Sequence, residues 1–333
     1  MNVSDLNEFQ LINHLQKIIT SNSTKIEVGN GDDGAVINNT PGYQTINTTD
    51  MLIEGVHFLR NKISSFDLGY KSLAINISDI VAMGGVPTYA TISLGLPPNI
   101  EVEYIEEIYQ GLNNLAQQYN INIIGGDTTS SPKNLIININ LLGKVKENKY
   151  LLRSTAQIGN HILVTGTLGD SKAGLEIILN NNYQQLKKEY PALTKKHFRP
   201  IPRLQEMKLI KKLGATAMND ISDGLASELN EITTASQVGA QIFADKLPIS
   251  QTSKELAAKL DMSAKDYALF GGEDYELLFT APANKSKKIK VNIENKLDTK
   301  ISIIGEILPP QQETKLITPN KTIKLMKEGF KHF

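Results

Sequence analysis

Aspartate recurs in this chain beside glycine or a hydroxyl residue. Asp32 and Asp33 stand in GNGDDGAV, Asp50 in INTTDML, Asp79 in INISDIVAMGG and Asp127 in IIGGDTT. The second half adds Asp220 and Asp223 in NDISDGL, then Glu273 and Asp274 in LFGGEDYELLF. Any one of these strings is an ordinary turn, because Gly and Asp tolerate the backbone angles a turn needs. Asp79 differs: it sits in an apolar helical run, where an unpaired carboxylate is expensive to bury. For a lone aspartate the ordinary place is the helix's solvated face. If the carboxylates converge, repulsion decides what must accompany them. Two like charges ~4 Å apart cost about 4 kcal/mol at an effective dielectric near ~20, so a cluster needs cations. Thr48, Thr49 and Ser222 supply hydroxyls, and there is neither cysteine nor a histidine cluster. That oxygen-only set suits Mg²⁺ rather than zinc. Magnesium keeps waters and binds through one or two carboxylates plus substrate phosphates, which points to polyphosphate chemistry.

The elements that must position these residues alternate between helical and strand patterns, so the expected class is α/β. Helical spacing covers 9–19, and a glycine-rich loop follows at 29–34. Short strands are expected at 35–38 and 44–48, a long helix at 67–83 stopped by Gly84-Gly85 and Pro87, a strand at 87–96 and a helix at 102–119. Residues 121–124 read as a buried strand ending at Gly125-Gly126, and 135–144 as a strand. The apolar pattern lapses over 146–157, which divides the chain into domains 1–146 and 147–333. Beyond it come a strand at 161–165, a glycine turn, a helix to about Leu179, polar surface structure over 180–202, and a second core from Ala215. That core has a helix at 225–235 and strands at 240–243 and 276–280.

Composition narrows the function classes. Length (333 residues) allows two domains, 40% apolar content is globular, and 35 basic residues balance 35 acidic ones. No basic surface recommends nucleic acid. The absence of cysteine excludes disulfides, thiolate zinc sites and a cysteine nucleophile, and fits a reducing cytoplasm. The polar N-terminus does not read as a signal peptide, and no apolar run reaches the roughly 20 residues needed to span a bilayer. GxxxxGK[ST] is absent, as are HRD and DFG. TGTLGDS and GNGDDG resemble phosphate-cradling loops.

GDDGAVI, TTDMLIEGVHF, KSLAINISDIVAMGG, IIGGDTT, VTGTLGDSKAGL, HFRPIPR, DISDGL and GGEDYELLF together, in this order, resemble the thiamine-monophosphate kinase family over nearly the whole chain. The wider superfamily includes aminoimidazole ribonucleotide synthetase, selenophosphate synthetase and a hydrogenase-maturation dehydratase. The resemblance implies an aminoimidazole ribonucleotide synthetase-like fold of two α/β domains, the N-terminal sheet joining a partner's in a homodimer. It implies Mg²⁺ ligands at Asp33, Thr48, Thr49, Asp50, Asp79, Asp127, Asp220 and Asp223, with several metal ions. It implies ATP contacts from Tyr109, Gly126, Asp127, Arg153 and Ser222, and thiamine monophosphate contacts from His57, Glu273 and Phe330. His197 and Arg199, in HFRP, read instead as fixing the second domain. The implied reaction is direct transfer of the ATP γ-phosphoryl group to thiamine monophosphate. The competing readings are another ATP-dependent superfamily enzyme acting on a formamidine or amide, and a non-catalytic nucleotide- or thiamine-phosphate-binding module.

Overall fold

The computed structural model describes residues 26–28 and 35–326. Asp33, Phe330, the helix expected at 9–19 and the loop at 29–34 lie outside them. Two sheets account for the described strands. The first has the order β1-β2-β3-β6-β4-β5, formed by β1 (Ile26–Val28), β2 (Ala35–Thr40), β3 (Tyr43–Ile53), β4 (Val86–Leu96), β5 (Asn122–Ser130) and β6 (Ile136–Lys146). The second has the order β13-β12-β9-β11-β7-β10-β8. Its strands are β7 (Asn160–Thr165), β8 (Ala217–Asp220), β9 (Gly239–Phe243), β10 (Leu277–Pro282), β11 (Ile301–Leu308), β12 (Lys315–Ile317) and β13 (Thr322–Lys324). Among the described strands only β4/β5 and β12/β9 are parallel pairs. Both sheets are therefore mixed and chiefly antiparallel, and ligand sites need not follow strand ends as in doubly wound sheets.

Helix α1 (Ser65–Ala82) starts where the Ser64 side chain accepts from the Asp67 amide, and ends before Gly84, whose φ of +72° a side chain would strain. Its neighbour is α2 (Val102–Tyr119). The second unit adds α3 (Asp170–Leu179), α4 (Tyr183–Glu189), α5 (Pro191–Phe198), α6 (Leu204–Leu213) and α7 (Leu225–Ser236), then α8 (Gln251–Lys259), α9 (Ala264–Phe270) and α10 (Ala283–Leu297). The polar stretch at 180–202 holds two helices, anchored by buried Tyr183, Leu186, Leu193 and Phe198.

Helix α1 is buried on almost every face. A helix apolar all round belongs inside a protein, and this one packs against both units. One apolar cluster runs from Ile46, Ile92 and Leu141 of the first sheet through Leu73, Ile77 and Ile80 of α1 to Leu193, Met207 and Ile210 of the second unit. At Gly69 an added Cβ would sit 1.9 Å from the Ile108 carbonyl oxygen, and at Gly111 2.0 Å from that of Phe66. The two glycines let α1 and α2 cross backbone against backbone. Among the described residues no helix is long and apolar enough to cross a membrane.

Candidate active site

Three elements bring acidic residues to one place. Along β3 the period-two alternation turns Thr48 and Asp50 toward α1 and sends Thr49 to the opposite face, where its hydroxyl bonds Asn138 Oδ1 (3.2 Å) and the Ile139 carbonyl (3.0 Å). From α1, Asp79 Oδ2 accepts from the Thr48 hydroxyl at 2.6 Å. Asn76 Oδ1 accepts the Asp50 amide at 3.1 Å. Asp79 is half-buried beside β3, not on a solvated face. From β8, Asp220 Oδ2 accepts from the Ser78 hydroxyl at 2.6 Å. Burial pushes the Asp50 carboxyl up to about 6, the Asp220 charge adds to this, and a hydrogen bond with Asp79 opposes it. Burial raises Asp220 as well, with Ser78 and the Arg153 charge acting the other way.

Asp220 Oδ1 is buried with no hydrogen-bond partner among the described residues. An orphaned carboxylate oxygen beside a second carboxylate is the environment a divalent cation relieves, so these oxygen donors fit Mg²⁺. Among the described residues no three His, Asp or Glu side chains form a closed metal cage. Magnesium does not require one, because it keeps waters and takes substrate phosphates.

The loop after β8 is held by Glu228 of α7. Its carboxyl bonds Asn219, accepts the Asp223 amide at 3.2 Å and lies 3.3 Å from the Ser222 hydroxyl. Burial pushes Glu228 up to about 8, against the nearby Arg153 charge, with Asp220 and Asp223 adding to the rise. Arg153, in the turn Arg153–Thr155, is therefore directed at this acidic cluster, with Nη1 3.9 Å from Glu231.

GGEDYEL is stitched to the same loop. The Glu273 amide donates to the Ser222 carbonyl (2.6 Å) and the Tyr275 amide to that of Ile221 (2.9 Å). Glu273 and Tyr275 have φ of +65° and +50°, a left-handed backbone that side chains adopt at a cost. Glu276 locks the segment from below, accepting both arms of Arg203 (2.7 and 2.5 Å) and the Thr165 hydroxyl (2.6 Å). The result is one cavity of about 590 Å³ between the units. Asp50, Ser222 and Asp223 line it together with His57, His197, Glu273 and Phe270. His57 Nδ1 accepts the Ile53 amide at 3.0 Å, which places the proton of the neutral ring on Nε2.

Known proteins match this arrangement along its length. Sequence models of the AIR synthase related protein family match twice, the N-terminal domain over residues 31–145 and the C-terminal domain over 157–316. Thiamine-monophosphate kinase of Bacillus subtilis (strain 168) is 36% identical over 330 residues, covering 98% of this chain and 100% of that protein. Its Aquifex aeolicus (strain VF5) counterpart is 39% identical over 289 residues, or 86% and 89%. The solved structure of AaThiL complexed with AMPPCP and TMP has a TM-score of 0.85 at 35% identity, covering 100% of this chain and 99% of that one. The chain belongs to the thiamine-monophosphate kinase family.

Within this family member, Thr48, Asp50, Asp79, Asp220, Ser222, Asp223, Arg153, His57 and Glu273 gather at the seam. Four expected residues do not, Thr49 being the one already placed on the far face of β3. Gly126 and Asp127 lie in β5, which runs through the glycines rather than ending at them and is mostly exposed. The register places Gly126 level with Asp50 across β6 and β4. Three strand spacings separate them, about 14 Å. Tyr109 is on the outer face of α2, 38% exposed. TGTLGDS also differs from expectation: Asp274 accepts the Gly169 and Ser171 amides at 2.6 and 3.1 Å, so a protein carboxylate takes the place a phosphate would.

Lys71 and His197, neither of them among the expected site residues, meet at Glu273. Lys71 is 1% exposed, with Nζ 3.0 Å from Glu273. His197 is buried against the same carboxylate, and Arg199 instead pairs with Asp67 of α1. The signal for Lys71 was available, since a charged residue in an apolar helix is as anomalous as Asp79.

Proposed function

We infer that this chain transfers the γ-phosphoryl group of ATP to the phosphate of thiamine monophosphate, giving thiamine diphosphate and ADP. A phosphate oxygen of thiamine monophosphate bonds to the γ-phosphorus as the bond to the β–γ bridging oxygen breaks, and ADP departs. The acceptor is already largely ionised near pH 7, since a phosphate monoester's second pKa is about 6, so no strong general base is required. Catalysis then rests on alignment and on neutralising crowded negative charge.

The observation that carries this reading is one cavity lined by Asp50, Ser222 and Asp223 together with His57 and Glu273. Thr48, Asp50, Asp79, Asp220 and Asp223 would hold Mg²⁺, which supplies charge neutralisation at the transferring group. Arg153 balances the carboxylates, and Ser222 stands where nucleotide phosphates approach them. Asp33, Thr49, Gly126, Asp127, Tyr109 and Phe330 join through ligand binding or through a partner chain. The protein works as a cytoplasmic homodimer, divided near residue 146 into two domains. In support, β6 ends at Lys146 and β7 begins at Asn160, and no described strand pairs with the outer edge of β5.

ADP formation is expected to depend on both thiamine monophosphate and Mg²⁺, to stop on chelation and to return when Mg²⁺ is restored. Asp50→Asn lowers turnover at least about 100-fold, while the metal-free protein melts no earlier than wild type because a like charge facing Asp220 is gone. Turnover only with a formamidine or amide substrate would assign the chain to a different reaction of the superfamily.

A further inference from the structure

Glu273 is not a free anion waiting for a ligand. Lys71 Nζ lies 3.0 Å from each of its carboxylate oxygens, and His197 Nδ1 lies 3.3 Å from Oε2. At 1% exposure the Lys71 ammonium is beyond the reach of anything in the cavity, whereas the Glu273 side chain keeps 27% of its surface and lines it. Lys71 Nζ is also 3.4 Å from His197 Nε2. An ammonium can only donate, so Nε2 accepts. The imidazole proton is then on Nδ1, facing Ser171 Oγ at 3.0 Å and Glu273 Oε2. This pattern requires a neutral ring, and burial together with the Lys71 charge pushes the His197 pKa down to about 3.

We propose that Lys71 is a positioning residue for the acceptor substrate: it clamps both Glu273 oxygens and, with an Nδ1-protonated His197, fixes the edge which that carboxylate turns to thiamine monophosphate. This rests on the phosphotransferase reading above. It separates Lys71 from the usual task of a kinase lysine, which is to meet phosphate oxygens as a point charge.

Steady-state kinetics with each substrate varied in turn test the assignment. Lys71→Met raises the KM for thiamine monophosphate about tenfold and leaves that for ATP within about twofold. The Lys71→Met/Glu273→Gln double variant leaves no buried carboxylate unpaired, so it folds even where Lys71→Met does not. It performs no worse than Glu273→Gln alone, because Lys71 acts through Glu273. Losses that multiply in the double variant, or an effect of Lys71→Met confined to kcat or to the KM for ATP, overturn the proposal. Nitrogen-15 NMR of the resting protein gives a readout independent of turnover. A neutral His197 protonated on Nδ1 near pH 7 is expected, and a ring protonated on Nε2 or on both nitrogens overturns the clamp. If wild type fails to turn over thiamine monophosphate, the functional reading falls, and the His197 tautomer still decides the clamp.

Discussion

His197 shows how much a single buried side chain ties this protein to pH. Its folded pKa is depressed to about 3, against about 6.5 for an unperturbed histidine. Between those values the unfolded chain binds the proton and the folded chain does not, so stability falls as pH falls, by up to about 1.4 kcal/mol per unit. Other groups act in the same range with the opposite sign. Asp50 is raised to about 6, and Glu228 and Asp274 to about 8, so each favours the fold as pH falls toward its unfolded value. Glu273 and Glu276, held below the usual carboxylate range, withdraw support only in stronger acid. A single pH profile therefore mixes signs, and the informative quantity is a difference. In urea unfolding at pH 7 and pH 5, His197→Gln is expected to lose about 1–2 kcal/mol less than wild type over that interval. Equal losses would mean that the imidazole is not held neutral.

At the scale of elements, α1 is the ruler of the site. Over about two and a half turns it presents Lys71 to Glu273, Asn76 to the Asp50 amide, Ser78 to Asp220 and Asp79 to Thr48. A helix with those duties tolerates little displacement. Its placement depends on the close crossing with α2, where Gly69 and Gly111 each face the other helix's backbone carbonyl at distances no Cβ can occupy. Gly111→Ala should force the helices apart and cost about 1–3 kcal/mol. Lys71 and Asp79 ride on the displaced helix, so kcat/KM should fall although position 111 lies outside the cavity. A thermal melt and a kinetic assay on the same preparation check both. A variant matching wild type in each would show that the crossing can relax without moving α1.

At the scale of the whole molecule, no described strand covers the outer edge of β5. Ile124 on it is 59% exposed, and an unpaired edge is a template for another chain. Sedimentation should therefore report twice the 36.7 kDa chain mass. Ile124→Lys, which puts a charge on that edge, should shift the protein toward the single-chain mass. A dimer unaffected by this change would place the interface elsewhere. Gly126 and Asp127 occupy the same strand, so a partner seated there would lie close to residues the single chain leaves about 14 Å from Asp50.

The sequence by itself determined the long helices, most strands and the oxygen-only acidic set, because helix periodicity, glycine stops and residue chemistry are local properties. It also carried the family, through motifs whose order survives any uncertainty about where elements end. What only the tertiary structure decided is which groups face one another. Strand alternation splits Thr49 from Thr48 and Asp50, and strand register carries Asp127 away from Asp79. Burial of α1 on both sides turns Asp79 from a surface residue into part of the acidic cluster and makes Lys71 the partner of Glu273. These contacts join residues 31 to 202 positions apart. No local pattern encodes them, since they follow from two sheets packing against one shared helix.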